Sequence, residues 1–267
     1  MQMKTWMKID LPDGTTTEGV VDHRHYPKRF KLDQIDLKGK RMLDIAANDG
    51  FWAFWAKQNG ADYVLATDIE NVKDYDWSYY KPKQYQDLEM EHNANFDKLR
   101  EILNLDVEKR LLSVYNHDPK EIGTFDFVAM SGLLYHLRHP LKAIDTLRKV
   151  CNDEAVAFMK THCVITENFI PLNIFYEDDV LEGADSNWTG ANIHCIAAWM
   201  KNAGFKHIFI QKPFKDKGYC VLNFFGCTGD KHKELFIDNE ELIYCDEAYF
   251  QKCHEETKKF LNGNIKI

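Results

Sequence analysis

The sequence has no run of about 18 consecutive apolar residues, so no transmembrane helix is expected. Its first residues, Met1 to Gly14, lack the apolar centre of a secretory signal, so none is expected there. Proline and glycine are sparse, at 7 and 14 of 267 residues, and nowhere gather into a linker; there is no repeat and no low-complexity segment. That excludes a repeat array and a disordered chain, since 45% hydrophobic residues suffice for a full core. Positive charge is also short: 34 Lys and Arg face 42 Asp and Glu, a net charge of -8. A nucleic-acid enzyme usually carries a basic footprint, so this balance weighs against a nucleic-acid partner. Lys and Arg are spread along the chain apart from short clusters such as Lys28-Arg29 and Lys38 to Arg41. The seven cysteines are scattered and form no CxxC pair. Neither a disulfide framework nor a zinc site fits that spacing, and no metal is expected. Reduced core thiols of a cytoplasmic protein are the expectation.

What is present is an alternation of strands and helices. Residues 1–36 read as an N-terminal extension, 37–229 as one α/β domain with an insertion over 163–190, and 230–267 as a mostly helical tail. Within the domain, strands are predicted at Arg41 to Ala46, Tyr63 to Asp68, Arg110 to Tyr115, Phe125 to Met130 and Ala155 to Lys160. Phe51 to Asn59 reads as a helix closed by Gly60. Pro140 opens a helix in which Leu141, Ile144, Leu147 and Val150 recur at helical spacing. Asn192 to Ala203 is a further helix, and strands at Phe205 to Gln211 and Tyr219 to Phe225 form an antiparallel hairpin. The expected fold is α/β: a Rossmann-like, doubly wound, seven-stranded sheet ending in that hairpin. Ligands of such sheets sit beyond the carboxyl ends of the strands, at the switch point.

The first strand-to-helix loop reads Asp44-Ile45-Ala46-Ala47-Asn48-Asp49-Gly50-Phe51-Trp52. A dinucleotide loop, G-x-G-x-x-G, would need a small residue where Phe51 stands, so NAD and FAD fit poorly. The alternative is the S-adenosylmethionine (SAM) loop, D-x-G-x-G-x-G, for which the chain offers Asp44, Ala46, Asn48 and Gly50. Asp44 would help hold the ammonium group of SAM, directly or through water. Asp68, ending the second strand, would accept both ribose hydroxyls.

Later segments sharpen this. Gly123-Thr124-Phe125-Asp126-Phe127-Val128 precedes Ser131-Gly132-Leu133-Leu134-Tyr135-His136-Leu137-Arg138-His139-Pro140-Leu141. The block resembles the GxFDxV…GxLYHLxxPL signature of class I SAM-dependent methyltransferases in the family of the tRNA wobble-uridine carboxymethyltransferase and its small-molecule relatives. The loop around Asn48 to Trp52 is similar to that family's DIGAxDGF form, and Asn187-Trp188 with Ala203-Gly204-Phe205 to its NW…AGF stretch. The resemblance spans about residues 37 to 226 and implies SAM as cofactor. It places Gly50 and Phe51 on the cofactor loop and Ser131 and Tyr135 beside the methionine part of SAM. Asn116 or His117, after the third strand, would contact adenine. Two departures stand out: Ala46 replaces the first loop glycine, and Lys217-Gly218-Tyr219-Cys220-Val221 lacks the arginine with which the carboxymethylating relatives pair an extra carboxylate. The second favours plain methyl transfer.

Methyl transfer to an alcohol needs a proton acceptor, and histidine titrates near neutrality. His136 and His162 are the candidates; His136 equally suits a structural role in its block. Asp178, Asp179, Asn187 and Trp188 fall in the insertion, which would act as a lid over the acceptor. The expected acceptor is a small polar molecule, such as a sugar, a nucleotide-linked sugar or a secondary metabolite, with O-methylation favoured slightly over N-methylation. RNA modification and cofactor binding without catalysis are the alternatives. The tail repeats apolar residues that would pack on the sheet edge or form a homo-oligomer contact.

Overall fold

The computed structural model describes residues 3–77, 95–177, 180, 181, 183, 186–213 and 218–265. The strands in chain order are β1 (Lys4–Met7), β2 (Glu18–Val21), β3 (Arg41–Ile45), β4 (Tyr63–Asp68), β5 (Glu108–Leu111), β6 (Phe125–Ser131), β7 (Cys151–Val164), β8 (Asn173–Phe175), β9 (Thr189–Ala191), β10 (His207–Gln211), β11 (Tyr219–Cys227) and β12 (Leu242–Tyr244). The α-helices are α1 (Tyr26–Arg29), α2 (Phe51–Gln58), α3 (Phe96–Ile102), α4 (Pro119–Ile122), α5 (Pro140–Lys149), α6 (Ile193–Ala203), α7 (Lys233–Ile237) and α8 (Glu247–Leu261).

Eight strands make the main sheet, in the order β12-β10-β11-β7-β6-β3-β4-β5. The pairs from β7 to β5 are parallel, and those from β7 through β11 and β10 to β12 are antiparallel. The chain winds outward from β3 through β4 to β5, then returns to β6 on the other side of β3. The switch point therefore lies between β3 and β6. Apolar side chains alternate through the sheet and feed two cores, one on each face. Leu43, Val128, Met130, Ala157 and Phe224 belong to one; Met42, Phe127, Phe158, Phe209 and Phe225 belong to the other. Both faces being covered explains why the central strands read as nearly unbroken apolar runs.

Helix ends follow their local chemistry. Asn192 caps α6, its side chain accepting from the Cys195 N–H at 2.9 Å, and Gly204 closes the helix in the left-handed conformation. Asp246 caps α8 in the same way through Tyr249.

Three expectations are corrected in detail. The third strand of the domain is not Arg110 to Tyr115 but Glu108–Leu111, paired with Leu65 to Asp68. It is the outer strand, and its charged residues suit an open edge, whereas the apolar Leu112 and Val114 that suggested the later register belong to the turn beyond it. The sheet has eight strands rather than seven, because Leu242–Tyr244 in the tail pairs with β10. The N-terminal residues also do more than extend the chain: Phe30, Leu32, Ile35 and Leu37 are buried in the second core. Most of the 70–90 segment and Lys217 lie outside the described residues.

Gly226 of β11 packs closely against Met200 of α6 and Phe205 just beyond it. A Cβ on Gly226 would stand 2.5 Å from Phe205 Cδ1 and 2.9 Å from Met200 Cε. Gly226→Ala is expected to destabilise the fold by about 1–3 kcal/mol through overpacking. A urea unfolding curve checks this; an unchanged midpoint would show that Phe205 and Met200 move aside freely.

Candidate functional site

The carboxyl ends of β3, β4, β5 and β6 surround a cavity of about 340 Å3. Ligand sites of small molecules start at about 300 Å3. Its floor is Ile45, Ala46 and Asn48 from the loop after β3 and Asp68 and Ile69 from the end of β4. One wall is Ser113 to Tyr115, and the other is Ser131 to Leu133 with Tyr135 and His136. Trp6 and Met7 from β1, Asp74 to Asp76, and Ser186 complete the rim.

The loop backbone explains the residues found in it. Ala46, Asn48 and Gly50 all take the left-handed conformation, with φ of 56°, 49° and 90°. These are the three positions at which the usual SAM loop has glycine, and left-handed backbone is what glycine adopts without strain. Asparagine tolerates it best among the other residues; alanine adopts it at a cost. Two carboxyl groups hold the turn in place. The Asp68 carboxylate accepts the Asn48 N–H at 2.7 Å and its own neighbour Ile69 N–H at 2.8 Å. Asp44 accepts the Ala53 N–H at 3.0 Å, inside the first turn of α2. Gly50 cannot be replaced for a second reason: a Cβ there would stand 2.7 Å from the rings of Phe54 and Phe96.

These residues fit the cofactor, and several sequence expectations converge on the one cavity. Ala46, Asn48, Asp68, Ser131, Tyr135 and His136 all line it. Asp68 faces it from the end of β4, the position from which a carboxylate reaches a ribose. Asp44 stands behind the wall, fully buried, and its carboxyl is pushed up to about 8 by burial first and by the nearby Asp68 second. Its link to a bound ammonium group would run through the loop or water. Gly50 shapes the turn rather than lining the cavity.

Other expectations are corrected. Phe51 is buried against Trp52 and His23 and does not line the cavity. Asn116 is exposed, and His117 is buried beneath the wall. Residues 114–116 form a short 3-10 turn that brings Ser113, Val114 and Tyr115 to the cavity instead. His117 is pinned there: its Nδ1 donates to the Val114 carbonyl at 3.0 Å, leaving Nε2 to accept from Thr67 Oγ1 at 2.9 Å. Burial holds its pKa below the ordinary histidine value. His162 is buried outside this cavity, its Nε2 held 2.8 Å from the Tyr176 hydroxyl and its ring near those of Tyr135 and Tyr219. A Cβ on Gly190 would collide with that same hydroxyl, so Gly190 makes room for the Tyr176 contact.

The insertion is fastened to the signature block. The Trp188 N–H donates to the Tyr135 carbonyl at 2.9 Å, and His136 Nδ1 donates to the Ser186 carbonyl at 3.0 Å. The Trp188 ring is covered by the Arg138 guanidinium, 5.0 Å away. Asn187 is buried and donates to the Leu181 carbonyl. Asn187 and Trp188 thus anchor the insertion; among its described residues, Ser186 reaches the cavity. Asp178 and Asp179 lie outside the described residues.

Some wall residues were not found from sequence. The Asp49 carboxylate accepts the Trp6 N–H and the Asn95 side-chain amide, and so brings β1 over the cavity. Asp76 accepts the Tyr115 hydroxyl at 2.6 Å and the Arg138 N–H at 2.9 Å, joining the segment after β4 to both walls. Nothing in the local pattern of residues 1–7 signals such a role; it follows from a contact between Trp6 and Asp49, 43 positions apart.

A family model described as a methyltransferase domain matches residues 23–209. Similar curated proteins include the tRNA U34 carboxymethyltransferase of Pseudomonas fluorescens (strain SBW25), 21% identical over 174 residues that cover 65% of this chain and 48% of the relative. The protein of the same name from Pseudoalteromonas translucida is 21% identical over 247 residues, 91% of this chain and 65% of the relative. The chain therefore spans about half to two thirds of the length of these relatives. Among solved structures, the N-terminal domain of EvdMO1 in the presence of SAH and D-fucose superposes with a TM-score of 0.57 at 18% identity, covering 80% of this chain and 88% of that one. The same domain with SAH bound gives 0.54 at 19% identity, over 76% and 78%. At such identities the likeness is one of fold.

Two outcomes are expected at the loop. Asp68→Ala should weaken SAM binding by about 1.5–3 kcal/mol, the range for hydrogen bonds involving a charged group, as measured by calorimetry on folded protein. Wild-type affinity would mean that Asp68 serves the Asn48 turn alone. For Asp44 the sign follows from its raised pKa. The unfolded chain loses this proton near pH 4, whereas the folded chain keeps it to about 8. Stability therefore falls as pH rises through that window. Asp44→Asn should flatten the fall, seen by comparing urea midpoints of the two proteins at about pH 5 and about pH 8; parallel curves would refute the buried proton.

Proposed function

Because the chain belongs to the methyltransferase-domain family, whose fold and cofactor are those of SAM-dependent methyltransferases, we propose that it transfers a methyl group from SAM to the hydroxyl of a small polar acceptor. The observation that carries this is the cavity at the switch point, floored by the left-handed Ala46–Asn48–Gly50 loop and faced by Asp68. The net charge of -8 supports a small-molecule acceptor over a polyanion. Sugars and nucleotide-linked sugars are the first acceptors to try. No helix among the described residues is long and apolar enough to cross a membrane.

Bound SAM would supply an electrophilic methyl on a sulfonium, so the protein has mainly to orient the acceptor and keep water out. Tyr135 and His136 stand at the wall, with rings 4.0 Å apart, and bear on both the cofactor cavity and the insertion. We assign His162 a positioning role rather than that of a mobile base. Its imidazole is buried and held to the Tyr176 hydroxyl, between Tyr135 and Tyr219, where it fixes the aromatic wall beyond the cofactor. A second reading is favoured by the names of the relatives: methylation of a tRNA base, with Lys28, Arg29, Lys38, Lys40 and Arg41 as the basic face. A salt-sensitive gel shift with tRNA would support it, and its absence would remove it.

Calorimetry with SAM and S-adenosylhomocysteine tests the cofactor, and a panel of hydroxylated acceptors with tritiated SAM tests the transfer. No heat from well-folded protein would overturn the reading. With the acceptor in hand, His162→Ala should lower kcat by about 10²-fold, as misplaced reactants do, and leave SAM affinity intact. His136→Ala should impair both, because it loosens Tyr135 and the Ser186 contact together. Full turnover by His162→Ala would show that the aromatic wall stands without it.

A further inference from the structure

On the sheet face beyond Ser131 lies a group of polar side chains that the cofactor cavity does not include. Lys160 of β7 pairs in register with Ser131 of β6 on one side and with Asn223 of β11 on the other. Val156 and Phe158 of β7 belong to the second core, so strand alternation puts Lys160 and then His162 on that same face. Alternation from Phe127 and Ala129 puts Ser131 there as well. The Lys160 carbonyl accepts the Gly132 N–H at 2.8 Å, so its backbone abuts the cofactor wall. The segment joining β2 to α1 covers it: His23 Nε2 is 2.6 Å from Lys160 Nζ, and the Tyr26 ring lies 5.4 Å beneath the same nitrogen.

From this placement we propose that Lys160, held by His23, is the proton acceptor for the hydroxyl that is methylated. The inference rests on the O-methyltransferase reading above. In the step, the acceptor O–H bond breaks and its proton goes to the lone pair of Lys160 Nζ. The O–CH3 bond forms as the S–CH3 bond breaks, and that electron pair stays on sulfur. The resulting ammonium donates to His23 Nε2 and loses its proton to water as product leaves.

The chemistry of the pair supports this. His23 is buried, and its Nδ1 has no hydrogen-bond partner among the described residues. Burial and then the Lys160 charge both oppose an imidazolium there, so His23 stays neutral, with its pKa down to about 3. Lys160 makes no ion pair with a carboxylate among the described residues, and burial alone brings its pKa down to about 8. The charged and titratable groups of residues 22–29 besides His23 and Tyr26 are Asp22, Arg24, His25, Lys28 and Arg29: Asp22 raises and His25 lowers the His23 value, Arg24 is paired with Asp22 and Asp10, and Arg29 acts on Tyr26. On the sheet side the neighbours are Ser131, Asn223 and His162, none of them a fixed charge.

The test uses the whole protein. First, trace acetylation with acetic anhydride across a pH series, read by mass spectrometry with S-adenosylhomocysteine present, gives the titration of Lys160 without any acceptor. It is expected near pH 8; the ordinary lysine range would overturn the proposal. Second, with an acceptor from the panel, kcat should fall on the acid side of that value. Lys160→Met should lose about 10²–10⁴-fold in kcat and the acid limb with it, while S-adenosylhomocysteine affinity stays as in wild type. Added ethylamine should restore part of the rate. Lys160→Arg, charged at every working pH, should be as inactive as the methionine variant. A Lys160→Met enzyme that keeps its rate and acid limb would overturn the base role. A panel with no acceptor would instead remove the O-methyltransferase reading and the base role with it, whatever the acetylation shows.

Discussion

The structure hangs on one carboxylate. Asp68 ends β4 and turns back to take the Asn48 N–H, and this bond stabilises a loop that runs left-handed at Ala46 and Asn48. A chain with glycine at both positions would reach that backbone without such help. Here the side chain of the next strand fixes it, and the same side chain faces the cavity. The parallel register of β3 with β4 sets the distance, since Ile45 lies opposite Thr67 and the loop begins where Asp68 ends its strand. Loop conformation, cavity floor and the group meant for the ribose are thus one arrangement.

The second constraint is how the flanking segments are drawn onto the sheet. Asp49 takes the backbone of β1 and lays Trp6 and Met7 along the cavity. Phe30 packs on Phe225 and brings His23 and Tyr26 down over β7. The tail closes the far side: Tyr249 and Cys253 enter the first core, and Tyr249 bonds His194 of α6 at 2.7 Å. The extension and the tail are as much parts of the packed molecule as the strands between them.

Much of this was legible from residue order alone. Strands β3, β4, β6, β10 and β11 announce themselves as apolar runs bounded by turn residues, and α5 and α6 by helical spacing and caps. The cavity floor could be read because Ala46, Asn48 and Asp68 depend on local turns and on neighbouring strands. What stayed hidden depends on distant contacts. The edge strand β5 has no apolar stripe to mark it, and β12 is three residues whose pairing exists only beside β10. Asn116 and His117 stand after the expected strand, but the 3-10 turn there rotates them off the wall. His162 looks like a free polar residue until Tyr176, 14 positions on, is folded against it.

The fastening of the insertion to residues 131–137 has a thermodynamic consequence. Trp188 and Ser186 bond the backbone and side chain of Tyr135 and His136, the two residues that also wall the cofactor cavity. Whatever orders Tyr135 and His136 from the cavity side therefore also restrains Ser186 and Trp188, which are bonded to them. The linkage is reciprocal: a ligand that stiffens the insertion would tighten binding in the cavity by the same free energy. Two hydrogen bonds thus couple the insertion to the cavity wall without any change of fold.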